Sequence, residues 1–383
     1  MKLLCISENL KKGILSAERI IGKNLTLPIL SNILLEAERG SLRISATNLE
    51  IGIVNKVRAK IEKEGRVAIP GKIAANFISQ IADGEKIAIE SKGESVGISY
   101  GDNKTVIKGI DAKDFPIIPK AQSKPLFILD GLRLQEICGK ILPCVAASET
   151  RQELAGVFVG LGEKNIEIAA TDSFRLAEGK IILKKEDMQS DYSVYRAKNN
   201  ALIIPARTIA EVIRNLGGEG AGVRVYLGEN QIFFETEGSL LVSRLIDGRY
   251  PEYKQVVPHE FSSSIITDRE ALLKAVKMAS IFSDNKSREV KFGVKSAEKK
   301  IVIEAQSVES GENITEVEGQ IAVKNDSVIA FNNKFLIDAL NLLSSPKIYV
   351  GFNDSFGPVI FREINSDDKV KDDYFHIVMP IRS

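Results

Sequence analysis

One pattern occurs three times in this 383-residue chain, at intervals of roughly 125–135 residues, and it restricts the fold more than any other feature. Residues 66–81 read RVAIPGKIAANFISQI, residues 201–216 ALIIPARTIAEVIRNL, and residues 328–343 VIAFNNKFLIDALNLL. Each has an apolar strand tail, a helix opener (Pro70, Pro205, Asn332), a basic residue two places on (Lys72, Arg207, Lys334) and then a helical apolar spacing. A proline suits such a start, because the first helical turn leaves its N–H groups unpaired anyway.

A second unit precedes each of these. Ser7–Ile21, Leu129–Val145 and Thr267–Ile281 all read as helices, with Leu10, Ile14, Ala17 and Ile21 forming one stripe in the first. Between the helices lie alternating runs broken by Gly, Asn and Asp: Leu42–Val54, Ile87–Tyr100, Val223–Phe234 and Val290–Glu304. Those are strands of half-buried antiparallel sheets. Proline-bearing segments, Asp114–Pro119 and Arg249–Pro258, close the first two thirds as linkers. The fold class is α+β in three repeated domains, expected at 1–124, 125–258 and 259–383.

Hydrophobic residues at 44% and charged residues at 27% are enough to build and cover a core, which excludes disorder and rod-like repeats. No apolar run approaches the roughly 20 residues of a membrane span. Charge interrupts the apolar N-terminal run at once, which is not the signal-peptide pattern. Cys5, Cys138 and Cys144 are too few for a disulfide framework and read as buried small hydrophobes in a reducing, cytoplasmic setting.

A catalytic centre is not visible. Gly71-Lys72, Gly139-Lys140 and Gly179-Lys180 are each followed by isoleucine and fail the P-loop pattern. The stretch Gly217–Gly222 follows a helix and enters a strand, the reverse of a dinucleotide loop. Cys138 and Cys144 lack zinc-knuckle spacing, and the only histidines are His259 and His376. Asp367-Asp368 and Asp372-Asp373 read as solvated loops rather than a metal site. Neither cofactor nor metal is expected.

The net charge is only +1, so any polyanionic partner has to be met locally. Lys12, Arg19 and Lys23 fall on one helical face opposite the apolar stripe. Arg133 and Lys140 are seven apart on the equivalent helix, as are Arg207 and Arg214, and Arg269 and Lys277 are eight apart. Cationic faces on equivalent helices, without interleaved aromatics, fit phosphate contact better than base stacking.

Five segments resemble one family. They are Thr26–Leu35, Ala46-Thr-Asn-Leu-Glu50, Ala170-Thr-Asp-Ser-Phe-Arg-Leu-Ala177, Ser243–Pro251 and Val378-Met-Pro-Ile-Arg382. In this order they are similar to the bacterial DNA polymerase III beta subunit, the replicative sliding clamp. The resemblance implies a head-to-tail homodimer of three-domain chains, a ring with helices lining the hole and antiparallel sheets outside. Twelve helices at about 8–10 Å spacing give a circumference of roughly 95–120 Å, wide enough for a duplex to thread loosely. The cations facing double-stranded DNA would be Lys12, Arg19, Lys23, Arg133, Lys140, Arg207, Arg214 and Lys277. Dimer contacts would include Thr105 and Ile107 on an edge strand, and Ile281 and Phe282.

The resemblance further implies a groove for linear peptides of polymerase and clamp-loader subunits. One side would come from Leu154, Thr171, Arg175, Leu176, Pro251 and Val256. The other would come from Asn332, Phe335, Phe356, Pro358, Ile377, Val378, Met379, Pro380, Ile381 and Arg382. Gln255, Ser287 and Ser383 depart from the family pattern there, which bears on peptide preference. Two other classes compete: a triplicated enzyme with an inter-domain active site, and an assembly scaffold that never touches DNA. The shortage of histidines and motifs weighs against the enzyme, and the recurring cationic faces weigh against the scaffold.

Overall fold

The computed structural model describes all residues except 23–26, 39, 122–123, 148–149, 192, 194–200, 217–220, 324 and 383. Lys23 and Ser383 therefore lie outside the described residues, as does most of the Gly217–Gly222 stretch. The chain divides into two compact units. The first holds Met1–Leu132, Lys184–Val194 and Arg207–Leu245, and the second holds Arg133–Leu183, Tyr195–Ala206 and Ile246–Ser383.

In the first unit, a five-stranded sheet runs β5 (Lys60–Lys63), β1 (Lys2–Ile6), β7 (Lys86–Lys92), β8 (Ser95–Tyr100), β9 (Asn103–Lys108). An eight-stranded sheet runs β10 (Phe127–Asp130), β15 (Gly222–Leu227), β16 (Gln231–Thr236), β17 (Ser239–Arg244), β4 (Ile51–Arg58), β3 (Ser41–Thr47), β2 (Asn32–Glu38), β6 (Gly65–Pro70). The second unit has one twelve-stranded sheet. Its order is β14 (Ala201–Pro205), β11 (Gly156–Leu161), β12 (Asn165–Thr171), β13 (Arg175–Ile182), β25 (Val370–Val378), β24 (Val359–Ile364), β23 (Lys347–Phe352), β18 (Ser263–Asp268), β21 (Gly311–Ala322), β20 (Lys300–Ser307), β19 (Glu289–Lys295), β22 (Ser327–Asn332). Every pairing is antiparallel.

Among the described residues six helices are complete: α1 (Ser7–Glu18), α2 (Gly71–Ser79), α3 (Gly131–Ile141), α4 (Ala206–Arg214), α5 (Arg269–Ser280) and α6 (Asn333–Leu342). Element order makes the triplication plain. Among the described residues each third is a strand, a helix, four strands, a helix and three strands, with β5 an addition in the first third. Among the described residues no helix is long and apolar enough to cross a membrane.

Local chemistry explains the boundaries. Asp268 caps α5 by accepting the Ala271 N–H at 2.7 Å, and Asn332 caps α6 by accepting the Lys334 N–H at 3.0 Å. The segment expected as a helix over Leu129–Val145 begins later, because Phe127–Asp130 pairs with β15. It also ends earlier, since Pro143 removes a donor and the chain tightens into a 3-10 turn over Leu142–Cys144. Likewise Thr267 and Asp268 belong to β18, not to the helix that follows. Glycine sets how closely helix and sheet approach: a Cβ on Gly13 of α1 would stand 2.8 Å from Ile44 and 2.9 Å from Val57. In the next repeat the glycine has moved to the strand, where a Cβ on Gly179 would meet Ile137 of α3 at 2.7 Å.

Candidate partner groove and duplex-facing helices

The groove residues of the second unit assemble around the antiparallel seam between β13 and β25, where Leu176 opposes Ile377 and Arg175 opposes Val378. Leu154, from a 3-10 turn, joins Leu176, Ile377, Tyr250 and Tyr253 in one buried cluster, with Met379 packed against it. Val378 is fully buried inside the sheet, so it supports the wall without lining it. Val256 and Phe356 stand exposed, Pro251 and Pro358 are half-buried, Pro380 is buried, and Arg382 is exposed. The Met379 N–H donates to the Phe174 carbonyl at 2.8 Å and the Ile381 N–H to the Ala330 carbonyl at 2.8 Å, which anchors the C-terminal segment.

A tight turn at Asp172-Ser173 builds the polar end. Ser173 sits at φ 77°, and Asp172 Oδ1 accepts the N–H groups of Phe174 and Arg175 at 3.0 and 2.9 Å. The Thr171 hydroxyl donates to the Arg175 carbonyl at 2.7 Å. Arg175 is committed twice over: Nε donates to Asp172 at 3.0 Å and Nη1 to Asp338 at 2.6 Å. Burial works against that guanidinium's charge, but Asp338 and Asp172 outweigh it and hold the group above its usual range. Its plane lies 4.7 Å from the Phe335 ring centroid, and Phe174 stacks on Phe335 at 6.2 Å. Phe174, exposed at the mouth, was missed by sequence reasoning; its place inside the Ala170–Ala177 segment was the available signal.

Behind this wall, Cys144 Sγ lies 3.8 and 3.9 Å from the two ring nitrogens of His376. The pair is not a catalytic dyad. Both are sealed from solvent, burial pushes the thiol up to about 12, and burial with help from Arg175 pushes the imidazole down to about 3. A reactive thiolate–imidazolium pair needs the opposite shifts. Cys5 and Cys138 are likewise buried, with burial pushing each thiol up to about 12. Among the described residues, no cluster of three or more His, Cys, Asp or Glu side chains is placed to hold a metal.

The helix cations fall into two groups. Lys12, Arg207, Arg214 and Lys277 are exposed. Arg19 is half-buried, and it shares a cleft of about 800 Å³ in the first unit with Lys72, Arg207 and Arg214. Buried Glu211 organises that cleft, accepting Arg19 Nε at 2.8 Å and Arg214 Nη1 at 2.7 Å. Lys72 belongs with this set, although its sequence position had marked it only as a repeat feature. On α3 the expectation fails physically. Lys140 is 9% exposed by side chain, with its ammonium 2.8 Å from Glu363 and 3.3 Å from Glu136. An ammonium so enclosed has no charge to offer a phosphate. Arg133 pairs with Glu136 at 2.8 Å and Asp373 at 2.7 Å, so it is half-neutralised by geometry.

Of the expected dimer residues, Thr105 and Ile107 do lie on an edge strand, β9. Ile107, however, points inward and is buried, while its neighbour Val106 is 68% exposed. The strand's period of two puts the exposed apolar side chain one residue away from the expected one. Ile281 is 69% exposed and edges an apolar hollow of about 530 Å³ with Leu273 and Met278, while Phe282 is half-buried.

A triplicated α+β chain with apolar strand seams and cationic helix faces belongs structurally to the clamp-type proteins. Models of the N-terminal, central and C-terminal domains of the DNA polymerase III beta subunit match residues 1–119, 129–252 and 254–382. The beta sliding clamp of Synechocystis sp. is 30% identical over 396 residues, covering all of this chain and 99% of the relative. The DNA polymerase III beta subunit of Thermotoga maritima superposes with a TM-score of 0.88 at 28% identity, covering 100% of this chain and 99% of that one. A sliding clamp of Pseudomonas aeruginosa, solved bound to griselimycin, shares the fold with a TM-score of 0.89 at 23% identity, each chain fully covered. The chain belongs to the DNA polymerase III beta subunit family, the bacterial beta sliding clamps.

Proposed function

We propose that two copies of this chain close head to tail into a ring around double-stranded DNA, and that the groove at the β13–β25 seam holds linear peptides of polymerase and clamp-loader subunits. It acts as a cytoplasmic, non-catalytic processivity factor, with three domains at 1–124, 125–258 and 259–383. The domain-sized segments matched by the family models support those boundaries.

One observation carries the reading. The same strand seam is used twice within the chain, β4 against β17 and β13 against β25, each time joining the third strand of one repeat's four to the last strand of the next repeat. By the same rule, β21 of the last repeat and β9 of the first are left over, and a second copy supplies each with its partner. Carried over from Ser239 opposite Asn55 and the matched hairpins, the register sets the partner's strand so that Asn103 faces Thr315 and Ile107 faces Gly311. The exposed Val106 and Ile314 then become diagonal neighbours, and Lys104 lies between Glu312 and Glu316.

The DNA face in this proposal is Lys12, Arg19, Lys72, Arg207, Arg214 and Lys277, with Lys140 excluded by burial. Linkage by a ring predicts retention that depends on topology. Once loaded, the protein stays on nicked circular DNA and runs off when the circle is cut, and Ala replacement of several of these cations shortens residence at low salt whatever the sequence. Equal retention on linear DNA with free ends would rule out encirclement and favour a scaffold or a groove binder.

A further inference from the structure

We infer that the first unit carries a second docking site, for a short acidic peptide segment with one apolar anchor, at the place where residues 111–120 cross the sheet formed by β2, β3 and β6. The construction repeats that of the peptide groove side for side. There, Phe158 opposes Ala169 and Ile203, and the linker rings of Tyr250 and Tyr253 lie 5.4 and 5.3 Å from Phe158, filling the surface. Here, Leu34 opposes Ser45 and Ala68, and the linker supplies Phe115 and Ile118 at the positions of the two tyrosines. Smaller side chains leave a hollow of about 220 Å³, room for one aliphatic or aromatic side chain.

Charge selects the occupant. Glu36, Arg43 and Arg66 are cross-strand neighbours on the face that carries Leu34, and Lys120 stands on the linker. Three cations therefore line the hollow against one carboxylate. Arg43 is tied to Glu38 at 2.9 Å. Arg66 and Lys120 are exposed, and neither has a carboxylate within 4.0 Å among the described residues. Ile117 stands 95% exposed at the rim, where the second unit has Glu252. A hollow of one side chain's size, an apolar rim and two exposed cations without a close ion pair, Arg66 feeling only the more distant Asp111 carboxylate, match an anchored segment flanked by Asp or Glu.

The test uses the full chain and a fluorescein-labelled peptide with a single leucine flanked by aspartates, read by anisotropy. Lysines in place of the aspartates should abolish binding. Arg66→Glu with Lys120→Glu, both at exposed positions, should weaken it at least about ten-fold. Leu34→Phe, which fills the hollow as Phe158 does in the second unit, should weaken it with the charges intact. Cutting the chain after Val378 should leave it unchanged, which separates this site from the groove at β13–β25. The inference is overturned if the truncation removes binding, if the charge reversal leaves it intact, if the lysine peptide binds equally, or if no saturation occurs below about 1 mM. A single-stranded oligonucleotide that binds as tightly and is lost with the same charge reversal would also overturn it, marking a general polyanion patch.

Discussion

Replacing Lys140 by Met separates a structural cation from a duplex-binding one. The ammonium bridges Glu363 at 2.8 Å and Glu136 at 3.3 Å, and it sits 5.1 Å from the Tyr374 ring centroid. Burial opposes ionisation of Glu363, yet Lys140, the Ser344 N–H and Lys371 overcome it and lower its pKa from 4.5 to about 2. That difference amounts to about 3 kcal/mol of stabilisation by all three donors. Lys371 and Ser344 remain in the variant at 3.0 and 2.8 Å, so Lys140→Met should cost about 2 kcal/mol, below the usual loss for breaking a buried pair. By calorimetry the transition of the second unit should fall by roughly 4–8 °C. Adding Glu363→Gln, which keeps an acceptor for Ser344, should recover most of the loss. Because the folded pKa of Glu363 is depressed, its contribution is complete above pH 4.5 and disappears as pH falls toward about 2. The gap between variant and wild type should close over that window. A Lys140→Met protein that melts like wild type but leaves DNA sooner would show that Lys140 is a phosphate ligand and that the burial argument is wrong.

Three further outcomes follow from the same geometry. His376 stays neutral in the fold down to about pH 3, whereas an unfolded histidine protonates near 6.5. Acid therefore favours unfolding by about 1.4 kcal/mol per pH unit between those values, with no effect above 6.5. His376→Leu should lose about 2 kcal/mol less than wild type between pH 7 and pH 5 in urea titrations, and an identical pH slope would refute the assignment. Val106→Asp, or Ile281→Ala with Phe282→Ala, should give a monomer of about 42 kDa by light scattering, while Ile107→Val should not. A dimer undiminished at micromolar dilution by these changes contradicts the interface. Cutting after Val378 removes Met379 and the segment beyond it but leaves β25 whole, so a labelled polymerase C-terminal peptide should bind at least ten-fold more weakly to a still-dimeric ring; equal affinities would place the groove elsewhere.

Periodicity made the repeats and the cores of all six described helices legible, because apolar spacing is a local property. Strand boundaries before helices were harder to find. Phe127 and Leu129 suit a strand or a helix equally well, and only pairing with Val223 and Val225 decides. The candidate groove was legible only through the family resemblance, since composition alone reads Leu176, Ile377 and Met379 as ordinary core, and the structure gathers them in one apolar cluster. It was not readable where a distant partner sets the outcome. Seven-residue spacing puts Lys140 beside Arg133 on a helix face, but nothing local announces that Glu363 will neutralise it. Arg175 is a similar case, since Asp338 arrives from α6. The Ile107/Val106 exchange came from a different limit: the resemblance pointed to the strand, but which face the sheet would bury was not visible.

The strand seams described above differ in kind, and that difference sets where the proposed ring gives way. Within the chain, Leu240, Leu241 and Val242 meet Val54, Ile53 and Gly52 at one seam, and Leu176 and Ala177 meet Ile377 and His376 at the other. Both are largely buried and continuous with the cores. The seam between copies would instead set lysines 104 and 108 beside glutamates 312 and 316, with Val106 and Ile314 the main exposed apolar pair along the two strands. Water and salt reach such contacts and weaken them, whereas they barely touch the others. In the proposed ring such a joint would act as a fuse: a pull that would otherwise tear a domain would be released first at a joint that can be remade, and raising the ionic strength would lower the force at which it parts.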